Sequence, residues 1–229
     1  QKYGISVIVG TPTYAIPPWL AKKYPDILAD THAGPSKYGH RQNMDITHPG
    51  YRAHCERIIR KLMEQVQPYD NVIGFQLDNE TKPYDTCGPR AQALFRQWLE
   101  EKFGTVENLN RAFGLAYWSN SLGAWEDLPD VRGTINNSLA AEFEAFQRNL
   151  VTEFLLWQRS IVEEYRRPEQ FITHNFDYEW RDYSHALQPD ADQFRAAQAV
   201  TVAGCDIYHP AASFLTGAEI SFGGDLARG

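Results

Sequence analysis

Four short apolar runs, each separated from the next by a segment long enough for a helix, constrain this chain more than any other feature. The runs are GISVIVGT (residues 4–11), NVIGFQL (71–77), FITHNF (171–176) and VTVAGCDI (200–207). A connection that holds a crossover helix leaves consecutive strands parallel. The pattern therefore predicts an α/β fold built on a parallel sheet.

The segments between and after these runs carry the helical period of about 3.6 residues. They are residues 49–67, 91–103, 139–165 and 190–199, with a last helix that begins near Leu215. Residues 105–138 are expected to form a long, loop-rich insertion, and loops of that length usually have a function. The inward face of the first helix is expected to comprise Cys55, Ile58, Ile59, Leu62, Met63 and Val66.

Polar residues follow each predicted strand at its carboxyl end. They are Thr11 and Thr13, then Asp78, Asn79 and Glu80, then His174 and Asn175, and finally Asp206 and Tyr208. In a (β/α)8 barrel the carboxyl ends of all strands converge on one mouth, where sites are built. This arrangement predicts that the polar clusters share a site.

Glu80 ends the second run in a geometry that suits a general acid. An apolar surrounding favours the protonated form of a carboxyl group, which then has a proton to transfer. Asn79 could donate a hydrogen bond to a sugar hydroxyl. The alternative is that Asp78, Asn79 and Glu80 form a solvated strand-to-helix turn, with Asn79 or Glu80 as a helix cap.

Other charged and metal-binding side chains give weaker signals. Arg41 lies in a loop that returns toward the same mouth, where it could bind a hydroxyl or a carboxylate, or it could be a surface arginine. The histidines at 32, 40, 48 and 54 lack the i, i+4 spacing with a carboxylate that marks a zinc motif. No metal site is therefore predicted.

Composition excludes several classes of partner. The net charge of −7 has the wrong sign for a nucleic-acid surface, and no apolar run approaches the ~18 residues of a membrane span. No glycine-rich nucleotide motif occurs, so no cofactor is predicted. Cys55, Cys87 and Cys205 form no CxxC pair, which favours free thiols in a reducing, cytoplasmic setting.

Aromatic residues make up 13% of the chain, and such rings form the platforms of sugar-binding clefts as well as ordinary cores. Trp118 and Trp125 lie in the predicted insertion. They either stack on a sugar or anchor the insertion to the rest of the fold.

Five stretches, taken in order, resemble the catalytic barrel of family 42 glycoside hydrolases, which are chiefly bacterial β-galactosidases. The stretches are GTPTYAIPPWL, YGHRQNMDITHPGYRAHCERIIRKLM, NVIGFQLDNE, ITHNFDYEW and GCDIYHP. The resemblance runs nearly from end to end. It implies that residues 1–229 are one partial TIM-barrel domain that covers roughly strands three to six with their helices.

The resemblance implies retaining hydrolysis of β-D-galactosides, in the clan whose fourth barrel strand ends in Asn-Glu. Glu80 would be the acid/base, and Asn79 would bind the hydroxyl next to the anomeric carbon. Arg41, Trp118 and Tyr208 would contact the substrate. The family's nucleophile is a Glu at the end of strand seven, which is not matched in this sequence.

Further expectations follow from the same resemblance. Glu219 falls in the final helix and is no substitute nucleophile, and the full-length protein would be a homotrimer. Only Cys87 follows the acid/base where some relatives bind zinc, so no zinc is expected. Ser213 stands where relatives place an Asp.

Two rival functions stay open. One is hydrolysis of α-L-arabinopyranosides, whose sugar shares the hydroxyl arrangement of galactose. The other is a barrel that binds carbohydrate without catalysis.

Overall fold

A four-stranded parallel sheet with helices packed on one face organises the structure, a computed structural model that describes residues 3–39, 41, 43–178, 190–207 and 217–228. The strands are β1 (Val7–Gly10), β2 (Asp30–Thr31), β3 (Gly34–Pro35), β4 (Val72–Gln76), β5 (Phe171–Tyr178) and β6 (Val202–Ile207). The helices are α1 (Pro18–Lys23), α2 (Pro49–Val66), α3 (Pro89–Phe103), α4 (Val106–Phe113), α5 (Asn137–Glu163), α6 (Gln193–Ala196) and α7 (Ala218–Arg228).

The main sheet has the strand order β1-β4-β5-β6, and every neighbouring pair is parallel. Each of its strands comes from one of the four apolar runs. Strands β2 and β3 form a separate two-stranded antiparallel pair. The predicted α/β fold with a parallel sheet is confirmed.

Strand register decides which side chains reach the carboxyl-end site. Ile172, His174 and Phe176 of β5 are buried on the face that packs against the helices, and alternate residues point to the opposite face. On that opposite face Asn175 pairs with Gly204, and Asp177 pairs with Asp206. Asn175 and Asp206 therefore occupy neighbouring positions on the face away from the helices.

Helix α2 begins where the sequence predicts. His48 caps it by accepting a hydrogen bond from the Tyr51 backbone N–H, and Pro49 is the first helical residue, where a missing N–H costs nothing. The prediction that Ile58 faces inward is wrong, because its side chain is about half exposed. The buried stripe runs instead through Tyr51, Cys55, Ile59 and Met63.

Helix α5 is the longest helix and joins the two parts of the core. Leu150 and Phe154 pack in the cluster under α3, whereas Val151 and Leu155 pack against the sheet. Gln158 is fully buried on the same helix. No helix in the described ranges is long and apolar enough to cross a membrane.

The segment at 105–138 is more ordered than predicted. It contains α4, which Thr105 caps by accepting from the Asn108 N–H and which Gly114 ends in the left-handed conformation. The loop-rich description did not include this helix, which is the part of the segment that the sequence analysis missed. Trp125 packs against the core cluster that contains Leu122 and Val131, which favours its role as an anchor of this segment.

Candidate active site

The turn that follows β4 presents Glu80 at the carboxyl end of the sheet. Asp78 and Glu80 both adopt left-handed backbone conformations, with φ of 46° and 45°. Such conformations cost a non-glycine residue about 1–2 kcal/mol and persist only where surrounding contacts hold them. The turn must therefore be held by its neighbours.

Asp78 supplies the first of these contacts. Its two carboxylate oxygens accept hydrogen bonds from the hydroxyls of Thr13 and Thr81, each at 2.5 Å. Its backbone N–H donates to Oγ1 of Thr11 at 2.6 Å. Burial raises the pKa of Asp78 to about 6, although the hydrogen bonds from Thr13 and Thr81 act in the opposite direction and lower it. Asp78 is thus a buried anchor that ties the turn to the segment after β1.

Gln158 of α5 extends this anchor to the helix layer. Its Oε1 accepts from the Thr11 hydroxyl at 2.6 Å, and its Nε2 donates to Oγ1 of Thr13 at 3.1 Å. A buried amide whose donor and acceptor are both engaged fixes the elements that it joins.

His174 spans the two ends of the turn from the helix-facing side of β5. Its Nδ1 lies 2.6 Å from the Leu77 carbonyl oxygen, and its Nε2 lies 3.3 Å from the Thr81 backbone nitrogen. A carbonyl accepts and an N–H donates, so the ring is the neutral tautomer with its proton on Nδ1. Burial lowers the pKa of His174 to about 4, which keeps the ring uncharged.

Glu80 lies beside a cation at the edge of this buried network. Its carboxylate Oε2 is 3.5 Å from Nη2 of Arg41, with side chains 9% and 57% exposed respectively. The backbone N–H of Glu80 donates to Oδ1 of Asn175 at 3.3 Å. Arg41 and Glu80, 39 positions apart in the chain, are therefore brought together, and a substrate contact by Arg41 stays a prediction.

Asn175 and Asp206 complete the cluster. The Asn175 amide donates from Nδ2 to Oδ1 of Asn79 at 3.1 Å and to Oδ2 of Asp206 at 2.7 Å. The pKa of Asp206 is raised, first by burial and further by a hydrogen bond with Glu80 and the charge of Glu80, while donation from Asn175 opposes the rise. Two carboxyl groups thus share one end of the sheet.

The remaining predicted site residues lie elsewhere or outside the described residues. Trp118 follows α4, is 85% exposed as a residue, and its ring lies edge-on to that of Tyr117 at a centroid distance of 6.0 Å. A substrate contact by Trp118 stays a prediction. Tyr208, Ser213 and the side chain of Glu219 lie outside the described residues, although the backbone of residue 219 is in α7.

The residues of this site that sequence reasoning gave no role include His174, Asn175, Asp206 and Gln158. The first three were noted only as polar residues at strand ends. Their position at the carboxyl end of a strand was the sequence signal that they belong to a site. Gln158 carried a different signal, a polar residue on the apolar face of α5. Neither signal says which partner a side chain meets.

No cluster of three or more His, Cys, Asp or Glu side chains that could hold a metal ion occurs within the described part of the chain. Cys87 is buried in the core, and its backbone N–H donates to the Asp30 carbonyl at 2.7 Å. The arrangement can transfer protons, because Glu80 is a largely buried carboxyl group beside the Arg41 cation and the Asp206 carboxyl group.

Comparison with known proteins places this site in a family. The sequence profile of glycoside hydrolase family 42, described as β-galactosidase, matches residues 1–228. A β-galactosidase of Thermus thermophilus is 34% identical over 212 residues, which are 90% of this chain and 32% of that protein.

Solved structures agree with the profile. The crystal structure of a β-galactosidase from Marinomonas ef1 superposes with a TM-score of 0.84 at 28% identity, over 100% of this chain and 37% of that one. One from Bacillus circulans sp. alkalophilus gives 0.86 at 26% identity, over 100% and 34%. This chain thus spans about a third of the length of these relatives. With the profile matched along almost all of its residues, the chain belongs to glycoside hydrolase family 42.

Proposed function

We propose that the protein containing this chain is a retaining β-galactosidase, and that Glu80 is its acid/base. The observation that carries the proposal is the placement of Glu80 beside Arg41 and the Asn79 segment, at the carboxyl end of a parallel sheet in a family 42 chain. Glu80 protonates the glycosidic oxygen as the bond breaks and later deprotonates the incoming water.

Substrate contacts follow from the same placement. Asn79 donates to the hydroxyl next to the anomeric carbon, and Arg41 lines the galactose site while its charge lies near the Glu80 carboxylate. Trp118 and Tyr208 complete the substrate site in this proposal.

The nucleophile is a separate question, because a second carboxyl group lies close to Glu80. Retaining glycosidases hold their two carboxyl groups about 5–5.5 Å apart, with the anomeric carbon between them. Asp206 is within hydrogen-bonding reach of Glu80, which leaves no room for a sugar between them. The resemblance to family 42 implies that the nucleophile is a glutamate at the end of the seventh barrel strand, and the proposal adopts that residue in place of Asp206.

The fold-level proposal is that β1, β4, β5 and β6 are strands three to six of a (β/α)8 barrel, and that residues 1–229 form one partial catalytic domain. Support comes from the parallel order of the strands and from the match to about a third of each related structure. A homotrimer and a cytoplasmic location are also proposed, from the family resemblance and the cysteine usage respectively.

Glu80→Gln in the full-length gene product tests the acid/base assignment. Hydrolysis of a galactoside with a poor leaving group should fall by about 10²–10⁴-fold, because acid assistance is lost. The glycosylation rate of 2,4-dinitrophenyl β-galactoside, measured in a single turnover, should stay near that of the wild type. Glu101→Gln, at an exposed position of α3, is the matched control and should change neither rate.

Equal losses of the glycosylation rate with both leaving groups would contradict the acid/base role. Binding of galactose by the wild-type protein without turnover of any galactoside would favour the non-catalytic barrel instead.

A further inference from the structure

The side-chain amide of Asn175 hydrogen-bonds with two residues of the turn after β4, Asn79 and Glu80, and with Asp206 of β6. Its Nδ2 donates to Oδ1 of Asn79 at 3.1 Å and to Oδ2 of Asp206 at 2.7 Å. Its Oδ1 accepts from the backbone N–H of Glu80 at 3.3 Å. An amide flip would set Oδ1 against two acceptor oxygens and the NH2 group against an N–H. The partners therefore fix the orientation of this side chain.

The orientation of the Asn175 amide decides which end of the Asn79 amide faces Asn175 and which end faces away from it. Oδ1 of Asn79 is engaged by Asn175, so its Nδ2 points away from Asn175. The last torsion of an asparagine side chain is broad and nearly two-fold. The hydrogen bond from Asn175 favours the one of these two orientations in which Oδ1 of Asn79 faces Asn175.

The Asp206 carboxyl strengthens the arrangement from β6. A carboxylate accepts from an amide more strongly than a neutral oxygen does, and the 2.7 Å contact is the shortest of the three. The side chain of Asn175 is therefore held from β6 while it reaches across to the turn after β4.

We propose that Asn175 is a positioning residue that sets the amide of Asn79 with its N–H donor toward the sugar hydroxyl next to the anomeric carbon. The inference rests on the proposed function, in which Asn79 binds that hydroxyl. The inference adds a substrate class, because it favours sugars that carry a hydrogen-bond acceptor on the carbon next to the anomeric carbon. Sugars with hydrogen there, or with an ammonium group that cannot accept, are rejected.

His174 offers a comparison on the same strand. It also holds the turn, through the Leu77 carbonyl and the Thr81 N–H, but from the opposite face of β5 and without contacting Asn79 through those two bonds. A residue that only supports the turn should lower rates for all substrates alike. A residue that orients Asn79 should lower the rate only where the substrate carries the hydroxyl.

The experiment compares two substrates in the full-length gene product: 2,4-dinitrophenyl β-galactoside and its analogue with hydrogen in place of the hydroxyl next to the anomeric carbon. Asn175→Ala should lower kcat/KM for the galactoside by about a hundredfold, the loss typical of a displaced positioning group, and should scarcely change it for the deoxy analogue. Asn79→Ala should show the same dependence on substrate, and the double variant should be no worse than Asn79→Ala alone.

Two further variants control for folding and position. Asn175→Leu keeps much of the side-chain volume and adds no charge beside Asp206 but lacks the donor for Asn79, so it should reproduce the substrate dependence even if Asn175→Ala folds poorly. Asn137→Ala, at the exposed start of α5, should leave both substrates unaffected.

Two outcomes would overturn the proposal in distinguishable ways. Equal losses with both substrates for the Asn175 variants, while Asn79→Ala still discriminates, would make Asn175 a turn support only and leave the proposed function standing. Failure of Asn79→Ala to discriminate, together with full activity of Glu80→Gln, would remove both the proposed function and this inference.

Discussion

Two buried titratable residues, Asp78 and His174, hold the turn after β4 from different sides, and burial shifts their pKa values in opposite directions. It raises the pKa of Asp78 from 3.8 to about 6 and lowers that of His174 from 6.5 to about 4, because the charged form of each is disfavoured. Both side chains are therefore mostly neutral in mildly acidic solution.

The two shifts have opposite consequences for stability. Between pH 4 and 6.5 an unfolded chain binds a proton at His174 that the native state does not, so this contribution to stability rises with pH. Between pH 3.8 and 6 the native state binds a proton at Asp78 that the unfolded chain does not, so this contribution falls as pH rises. Each pKa shift changes the free energy of unfolding by about 3 kcal/mol across its pH range, and the two changes largely offset one another.

We expect matched variants of the full-length gene product to separate these contributions. The stability difference between wild type and His174→Gln should grow as pH rises from 4 to 6.5 and then level off. The difference between wild type and Asp78→Asn should shrink over nearly the same range. Thermal unfolding at several pH values measures both differences. Parallel trends in the two variants would show that one of the shifts is misassigned.

At the scale of elements, β5 is the strand that organises the site. It pairs with both β4 and β6, presents His174 to the helix layer, and presents Asn175 on the other face. The spacing between β4 and β5 therefore affects the position of the turn after β4. Gly74 of β4 pairs with Phe171 of β5, and a Cβ at Gly74 would lie 2.7 Å from the Phe171 ring.

Gly74→Ala should destabilise the full-length gene product by about 1–3 kcal/mol, the usual cost of overpacking, because the ring must move to admit the methyl group. Phe171→Leu in the same chain should recover part of the loss by removing the clash. Gly133→Ala is the control, since no atom lies within 4 Å of its Cβ position. Urea unfolding midpoints measure all three. Equal midpoints for Gly74→Ala and Gly133→Ala would contradict the packing argument.

At the scale of the whole molecule, the sheet has two open edges. Within the described residues β1 pairs only with β4, and β6 pairs only with β5. On the face opposite the helices Ile8 is 49% exposed and Val202 is 51% exposed. A barrel would cover this face with layers of side chains and pair both edges with further strands.

The 229-residue chain expressed by itself is therefore expected to aggregate and to hydrolyse no galactoside. Among the described residues, the edge strands β1 and β6 each pair on one side only, and the proposed mechanism requires a second carboxylate that the proposal assigns to strand seven. Size-exclusion chromatography, a thermal melt and a 2,4-dinitrophenyl β-galactoside assay check this, with the full-length gene product as the positive control. A monomer that melts cooperatively and turns over substrate would refute it.

Local patterns in the sequence were enough to predict the strands of the sheet and most helices. Apolar runs bounded by turn residues mark buried strands, and His48-Pro49 marks the start of α2, because these signals depend on residues near one another in the chain. The same locality allowed the sequence to place Glu80 at the end of a strand, because Glu80 follows an apolar run directly; its acid/base role stays a prediction. It also explains the errors: α4 was overlooked although Thr105 and Gly114 bound it, and Ile58 was assigned inward by period alone.

What the sequence by itself determined, then, was the order of the four strands of the main sheet with most of the helices between them, and the end of the sheet at which the polar residues gather. Only the tertiary structure decided which side chains meet there. Asn79 and Asn175 are 96 positions apart, and Thr11 and Gln158 are 147 apart. No local period relates such residues, because their contacts depend on strand register and on how α5 packs against the sheet. The tautomer of His174 and the orientation of the Asn175 amide follow from those contacts, since hydrogen-bond polarity is fixed only once donor and acceptor have been brought together.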